Sequence, residues 1–257
     1  MAETNTKNQI LNQAGDATGN ELPAIRVSNL VKTFGNKFAL NRVSFDVKKG
    51  EFLTIFGPNG AGKTTLIRIL STISTATSGE ITLYGLSPHK HATQIRRQIG
   101  VIAHQTFLYD DLTAEENLRF YGRLYSVQGL PTKIEQIITD VGLHLRRRDR
   151  VRTFSRGMQQ RLSIARAMLH DPALLLLDEP YTGLDQHASE MLSGWLRRLR
   201  SANRTTLMVT HDLERGVDLA DRIAILTNGK LVFDQKRSQI TPDSFRDTYY
   251  EFVEKSG

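Results

Sequence analysis

Phe52-Leu53-Thr54-Ile55-Phe56-Gly57-Pro58-Asn59-Gly60-Ala61-Gly62-Lys63-Thr64-Thr65-Leu66-Ile67-Arg68-Ile69-Leu70 decides the fold of this chain. Phe52 to Phe56 reads as a buried strand, and Leu66 to Leu70 as a helix with apolar residues around much of it. Between them, Gly57 to Thr64 fits G-x-x-x-x-G-K-[ST], a loop whose small residues let consecutive backbone N–H groups face phosphate oxygens. The N-terminus of the following helix adds its dipole to that anion site. On this reading Gly57, Pro58, Asn59, Gly60, Ala61 and Gly62 cradle a nucleotide, and Lys63 contacts its β- and γ-phosphates. Thr64 holds Mg²⁺ through its hydroxyl, and Thr65 lies at the α-phosphate.

Working outward, Val43, Phe45 and Val47 alternate on one strand face, and Lys49-Gly50 marks a turn into the buried strand. Antiparallel strands are therefore expected before the loop. Beyond it, residues from about Thr106 to Ser155 have a helical pattern, in which Thr113 and Glu116 form a capping box opening a helix through Tyr125. Leu174 to Leu177 is apolar on both faces, as a central parallel strand requires, and Thr205 to Val209 and Arg222 to Thr227 read as further strands. Strands alternate with helices, so the class is α/β: a P-loop nucleotide-binding core with an antiparallel β subdomain and an inserted α-helical subdomain at about 106–155. Ser244 to Val253 reads as a short helix packing on the core.

The apolar strand ends in Asp178-Glu179-Pro180, which sets two carboxylates at the carboxyl edge of the sheet, where open α/β folds bind ligands. There Asp178 would reach Mg²⁺ through a water, and Glu179 would polarise the attacking water as base or positioning group. Taken alone the same three residues describe an acidic turn; the phosphate loop at the same edge favours the chemical reading.

Composition narrows the classes. The 257 residues suit one hydrophobic core or two closely joined subdomains, and 39% hydrophobic with 24% charged residues excludes a wholly disordered chain. Cysteine is absent, which excludes a disulfide scaffold, thiolate-held zinc or iron–sulfur, and a cysteine nucleophile. No apolar stretch is long enough to span a bilayer. Residues 1–22 are polar and lack the apolar segment of a secretory signal, so a disordered tail and a cytoplasmic protein are expected. The net charge of +7 suits nucleic acid, an anionic membrane surface or a phosphate-rich ligand alike.

Gly57 to Thr65, Gln105, Phe154 to Arg161, Leu174 to Pro180, Gly183-Leu184-Asp185 and His211 occur in an order that resembles ATP-binding-cassette (ABC) ATPase domains, over about Ile25 to Asp234. The resemblance implies ATP hydrolysis with Mg²⁺ and an ATPase domain over 23–236, followed by a short helical extension over 237–257. It implies that Phe34 stacks on adenine, that Gln105 touches Mg²⁺ and the attacking water, and that His211 contacts the γ-phosphate. By themselves, Phe34 also fits a core residue closing a strand and His211 a structural histidine. Phe154 to Met158 resembles the family's signature motif, Leu-Ser-Gly-Gly-Gln, with Phe154, Arg156 and Met158 as departures. Ser155 and Gly157, the parts that hold phosphate, remain. Arg156 fits either a cation beside the triphosphate or a solvated cation at a helix start. In the family this motif faces the ATP of a second subunit, so a head-to-tail homodimer is implied, with Asp185 where the monomers meet.

The resemblance further implies a separate membrane permease, reached through a groove beside Gln105, and a peripheral place on the inner face of the membrane. Thr106, Phe107, Leu108, Tyr109 and Asp110 are candidates for that contact, packing within the helical subdomain being the other reading. A soluble ABC ATPase acting on a protein or nucleic-acid complex is the alternative. The run Arg146-Arg147-Arg148-Asp149-Arg150-Val151-Arg152 lacks interleaved aromatics and reads as interface or solvated charge, so no nucleic acid is expected. Thr153 to Leu162 with Asp185 to Ala188 looks like exporter-type subunits, and is similar in particular to the haem-exporter ATPases of cytochrome c maturation. His89, His91 and His104 read as surface residues, not haem ligands.

Overall fold

A computed structural model describes residues 22–254 except positions 104, 185 and 203. The expected tail lies, apart from Leu22, outside the described residues, as do His104 and Asp185. Two sheets organise the chain. β1 (Ile25–Phe34), β2 (Lys37–Val47) and β4 (Ser78–Leu83) form an antiparallel sheet in the order β2-β1-β4. Val43, Phe45 and Val47 are all buried, as their alternation predicts.

The larger sheet has the order β5-β6-β7-β3-β8-β9, from β3 (Phe52–Phe56), β5 (Ile99–Ile102), β6 (Leu174–Asp178), β7 (Thr205–Thr210), β8 (Arg222–Thr227) and β9 (Lys230–Lys236). Its strands are parallel except β9, which turns back on β8. Every residue of β3, β6 and β7 is buried, because both faces of the sheet are covered. Each such Phe, Leu or Ile side chain contributes about 1.5–3 kcal/mol of burial free energy.

Register places the site. Phe56 pairs with Thr210 and Asp178 with Val209, so Gly57, Glu179 and His211 leave the sheet side by side. On one face of the sheet, α1 (Lys63–Leu70) packs Leu66, Ile67, Ile69 and Leu70 into a core shared with β1 and β2. On the other face, α3 (Ala114–Leu124), α4 (Leu130–Asp140) and α5 (Arg156–Met168) share a second core through Leu118, Ile134, Ile138 and Leu162. The capping box at Thr113 and Glu116 is formed and opens α3. Between α1 and α3, α2 (Pro88–Arg96) covers β4 and β5.

The remaining helices, α6 (Gln186–Ser201), α7 (Leu213–Leu219) and α8 (Pro242–Glu254), follow β6, β7 and β9. Phe245 of α8 is buried with its ring 5.0 Å from that of Phe56, so the C-terminal helix does pack on the core.

Candidate nucleotide-hydrolysing site

The loop after β3 depends on its glycines for space. A Cβ on Gly57 would stand 2.2 Å from the Leu226 carbonyl oxygen. Gly62 has φ of 108°, and a Cβ there would meet the Ala39 carbonyl at 2.3 Å. Lys63 opens α1 with its side chain buried. Its Nζ donates to the carbonyls of Gly57 at 2.6 Å and Pro58 at 3.1 Å and lies 3.2 Å from Glu179 Oε1. The ammonium is therefore held against the carbonyls at the start of the loop.

The carboxylates converge on the same point. Thr64 Oγ1 donates to Asp178 Oδ1 at 3.1 Å. Glu179 has φ of 50°, a left-handed conformation that a bulky side chain adopts only where its surroundings fix it. Here its N–H is tied to the Val209 carbonyl at 2.9 Å. Its Oε2 accepts from Thr210 Oγ1 at 3.1 Å, from the His211 N–H at 3.3 Å and from His211 Nδ1 at 2.9 Å. Among the described residues Oε1 is buried, accepts no hydrogen bond and pairs with the Lys63 charge. One oxygen is thus held by hydrogen bonds and the other by the Lys63 charge.

The Thr64 hydroxyl and the Asp178 carboxylate are the hard oxygen donors that Mg²⁺ takes. Among the described residues no group of three or more His, Cys, Asp or Glu forms a metal cage.

A cavity of about 550 Å³ brings together Asn59, Thr64, Gln105, Asp178, Glu179 and His211. Phe34, Ser155 and Gly157 do not line it. Phe34 ends β1 with its ring 61% exposed and Lys32 Nζ 5.0 Å from its centroid, so it is no core residue. Ser155 caps α5, accepting from the Met158 N–H at 3.3 Å. Phe154 is buried in the helical core. A Cβ on Gly183 would lie 2.3 Å from Arg156 Nε. The Arg156 side chain thus rests against the loop after β6.

Thr210 and Gln160 were not legible as site residues. The first orients Glu179; the second donates from Nε2 to the Pro180 carbonyl at 3.3 Å, joining α5 to the turn after Glu179. Their signals were slight: a threonine preceding His211, and a glutamine following the signature motif. Of the two readings for Thr106 to Asp110, Phe107 takes the packing one, its carbonyl accepting from the Tyr121 hydroxyl. Tyr109 is exposed beside Phe120, with ring centroids 5.0 Å apart. In the arginine run, Arg146 pairs with Asp149, Arg147 with Glu115 and Glu135, and Arg152 with Asp111. Much of its charge is met within the subdomain. His89 is exposed and His91 half-buried.

A phosphate loop between a central strand and a helix, with two carboxylates on the sheet edge beside it, defines a P-loop nucleotide hydrolase. Residues 40–182 match the family described as ABC transporter. The chain is 34% identical over 81% of its length to the linearmycin resistance ATP-binding protein LnrL of Bacillus subtilis, covering 68% of that protein. It is 38% identical over 80% of its length to the Nod factor export ATP-binding protein I of Rhizobium meliloti, covering 62% of it. Among solved structures, a dimeric ATP-binding cassette in a post-hydrolysis state with ADP and Pi shares 28% identity and a TM-score of 0.76, over 83% of this chain and 98% of that one. The chain belongs to the ABC transporter family, as an ATP-binding and ATP-hydrolysing subunit.

Proposed function

We propose that this chain powers export by a separate membrane permease, with Glu179 as the group that activates water for cleavage of the ATP γ-phosphate. The carrying observation is the Glu179 carboxylate, oriented through Oε2 by Thr210 and His211, with an Oε1 that accepts no hydrogen bond and meets the Lys63 ammonium at 3.2 Å. Lys63 and the loop N–H groups bind and neutralise the phosphates. Glu179 Oε1 accepts the proton of the attacking water, while His211 and Gln105 position the reacting groups. Thr64 and Asp178 would hold Mg²⁺, which supplies charge neutralisation at the transferring phosphoryl group. Phe34 offers the adenine an exposed aromatic face.

Ser155 and Gly157 lie away from the cavity, and this supports a reading in which they serve the ATP of a second copy. Two subunits then close on two ATP molecules and separate after hydrolysis, so the γ-phosphate biases an open–closed equilibrium. Among the described residues no helix is long and apolar enough to cross a membrane. The exposed Tyr109, beside Phe120, offers a contact for a permease at the inner face of the membrane. The names of the two relatives, one concerned with linearmycin resistance and one with Nod factor export, support export as the direction. Haem as cargo rests only on the variable positions around the signature motif and those following Leu184; intact covalent cytochrome c in cells lacking this ATPase would remove it.

Two experiments test the reading. Lys63→Ala should lower Mg²⁺-dependent ATPase activity by about 10²-fold or more, since the cation acts where charge develops. Photo-cross-linking from position 109 should trap a membrane protein that co-purifies with the chain. Recovery with ribosomes or DNA and no membrane protein would overturn the transporter role and leave the ATPase result standing.

A further inference from the structure

Arg166 lies in the middle of the apolar stretch of α5 and is only 9% exposed. Its guanidinium donates through one terminal nitrogen to the Val101 carbonyl of β5 at 2.7 Å. It also lies 5.4 Å from the ring centroid of Phe107 and 5.4 Å from that of Tyr121. Its Nε is buried without a hydrogen-bond partner. A charge this deep is costly unless its surroundings answer it, and here two aromatic faces, one carbonyl and the Tyr121 hydroxyl do so.

Those contacts bracket one segment. Val101 precedes Gln105 and Phe107 follows it, so a single planar cation grips the chain on both sides of the glutamine. Phe107 has φ of 55°, a conformation that a phenylalanine keeps only where it is over-determined. The Tyr121 hydroxyl of α3 binds the Phe107 carbonyl as well, so helices α3 and α5 hold the segment together.

We infer that Arg166 is the positioning residue of Gln105, setting where that side chain stands in the hydrolytic cavity and tying it to the helical layer. The inference rests on the reading that Gln105 takes part in ATP cleavage. A lysine cannot substitute, because an ammonium has neither the flat face that meets two rings nor the fork that reaches Val101 at the same time. Displacement of α5 against the sheet is thereby passed to the segment that carries Gln105 through the Arg166 contacts with Val101 and Phe107.

The test is a double-mutant cycle on the full-length chain, with steady-state ATPase activity and the affinity for a non-hydrolysable ATP analogue as readouts. Arg166→Met and Phe107→Gly are each combined with Gln105→Ala; Phe107→Gly leaves α5 intact should the helix variant fold poorly. The expected result is a fall in kcat of about tenfold in each single variant, analogue affinity within about twofold of wild type, and double variants no slower than Gln105→Ala alone. Arg166→Lys should not restore kcat. Variants of Arg166 and Phe107 with wild-type kcat, or losses that add fully to that of Gln105→Ala, overturn the positioning role while leaving Gln105 in the reaction. Wild-type kcat in Gln105→Ala overturns the reading of Gln105 itself, and the inference with it.

Discussion

The Nζ of Lys63 stands 3.2 Å from Oε1 of Glu179, joining the cation of the phosphate loop to the carboxylate that follows β6. Both side chains are largely withdrawn from water, at 6% and 18% exposure. In such a setting removing one partner leaves the other charge poorly compensated. The pair therefore joins the phosphate-loop lysine to the carboxylate proposed as the base through one contact.

Glu179→Gln keeps the shape of this contact and removes the proton acceptor. ATP binding should persist, hydrolysis should fall by about 10²-fold or more, and an ATP-dependent dimer should accumulate. Size-exclusion chromatography with and without ATP, beside a phosphate-release assay, reads both effects. Hydrolysis at the wild-type rate would assign the base elsewhere.

Phe34 presents an aromatic face that no core packing requires. Phe34→Ala should weaken ATP binding by about 1–2 kcal/mol, the size of a base–aromatic stack, with little effect on folding. Phe34→Trp should retain the affinity. Titration with a fluorescent ATP analogue compares the two, and equal binding by wild type and Phe34→Ala would exclude the stack.

Gly62→Ala meets two obstacles at once: φ of 108°, and the Ala39 carbonyl 2.3 Å from the new Cβ. The left-handed backbone alone costs about 1 kcal/mol, and the clash adds to it. A lower thermal midpoint together with lost ATP binding is expected. Gly60→Ala, with φ of 82° and open space around its Cβ, should cost less.

His170 supplies a pH dependence. Burial pushes its imidazole down to about 4, while Nε2 bonds the Ile99 carbonyl at 3.0 Å and the ring stacks 4.0 Å from Tyr125. The unfolded chain, whose histidine titrates near 6.5, binds more protons than the folded one below that pH. Stability contributed by the neutral ring is therefore whole above about pH 6.5 and lost progressively as pH falls toward 4, by at most about 1.4 kcal/mol per pH unit. His170→Phe keeps the stack and should flatten the decline in urea midpoint between about pH 7 and pH 5. An unchanged slope would assign the acid sensitivity to other groups.

Much of the architecture was written in local pattern. The capping box at Thr113, the alternation of Val43, Phe45 and Val47, and the apolar run of Leu174 to Leu177 each state their structure through near neighbours, because capping and side-chain period act over a few residues. Arg166 was not readable in this way. In sequence it is one more arginine on a helix, and its neighbours do not announce that Val101, Phe107 and Tyr121 will surround it. Arg156 was equally open, and only the fold lays it against Gly183.

The same division runs through the site. The loop from Gly57 to Thr65 and the pair Asp178-Glu179 carry their chemistry in residue type and spacing, since a phosphate nest and a strand-end carboxylate need only a few consecutive residues. Which partners each oxygen of Glu179 meets was decided by tertiary structure alone. That choice depends on Lys63 after β3 and Thr210 and His211 at the end of β7 meeting Glu179 after β6, and only the register of β3, β6 and β7 brings these three segments within hydrogen-bonding distance.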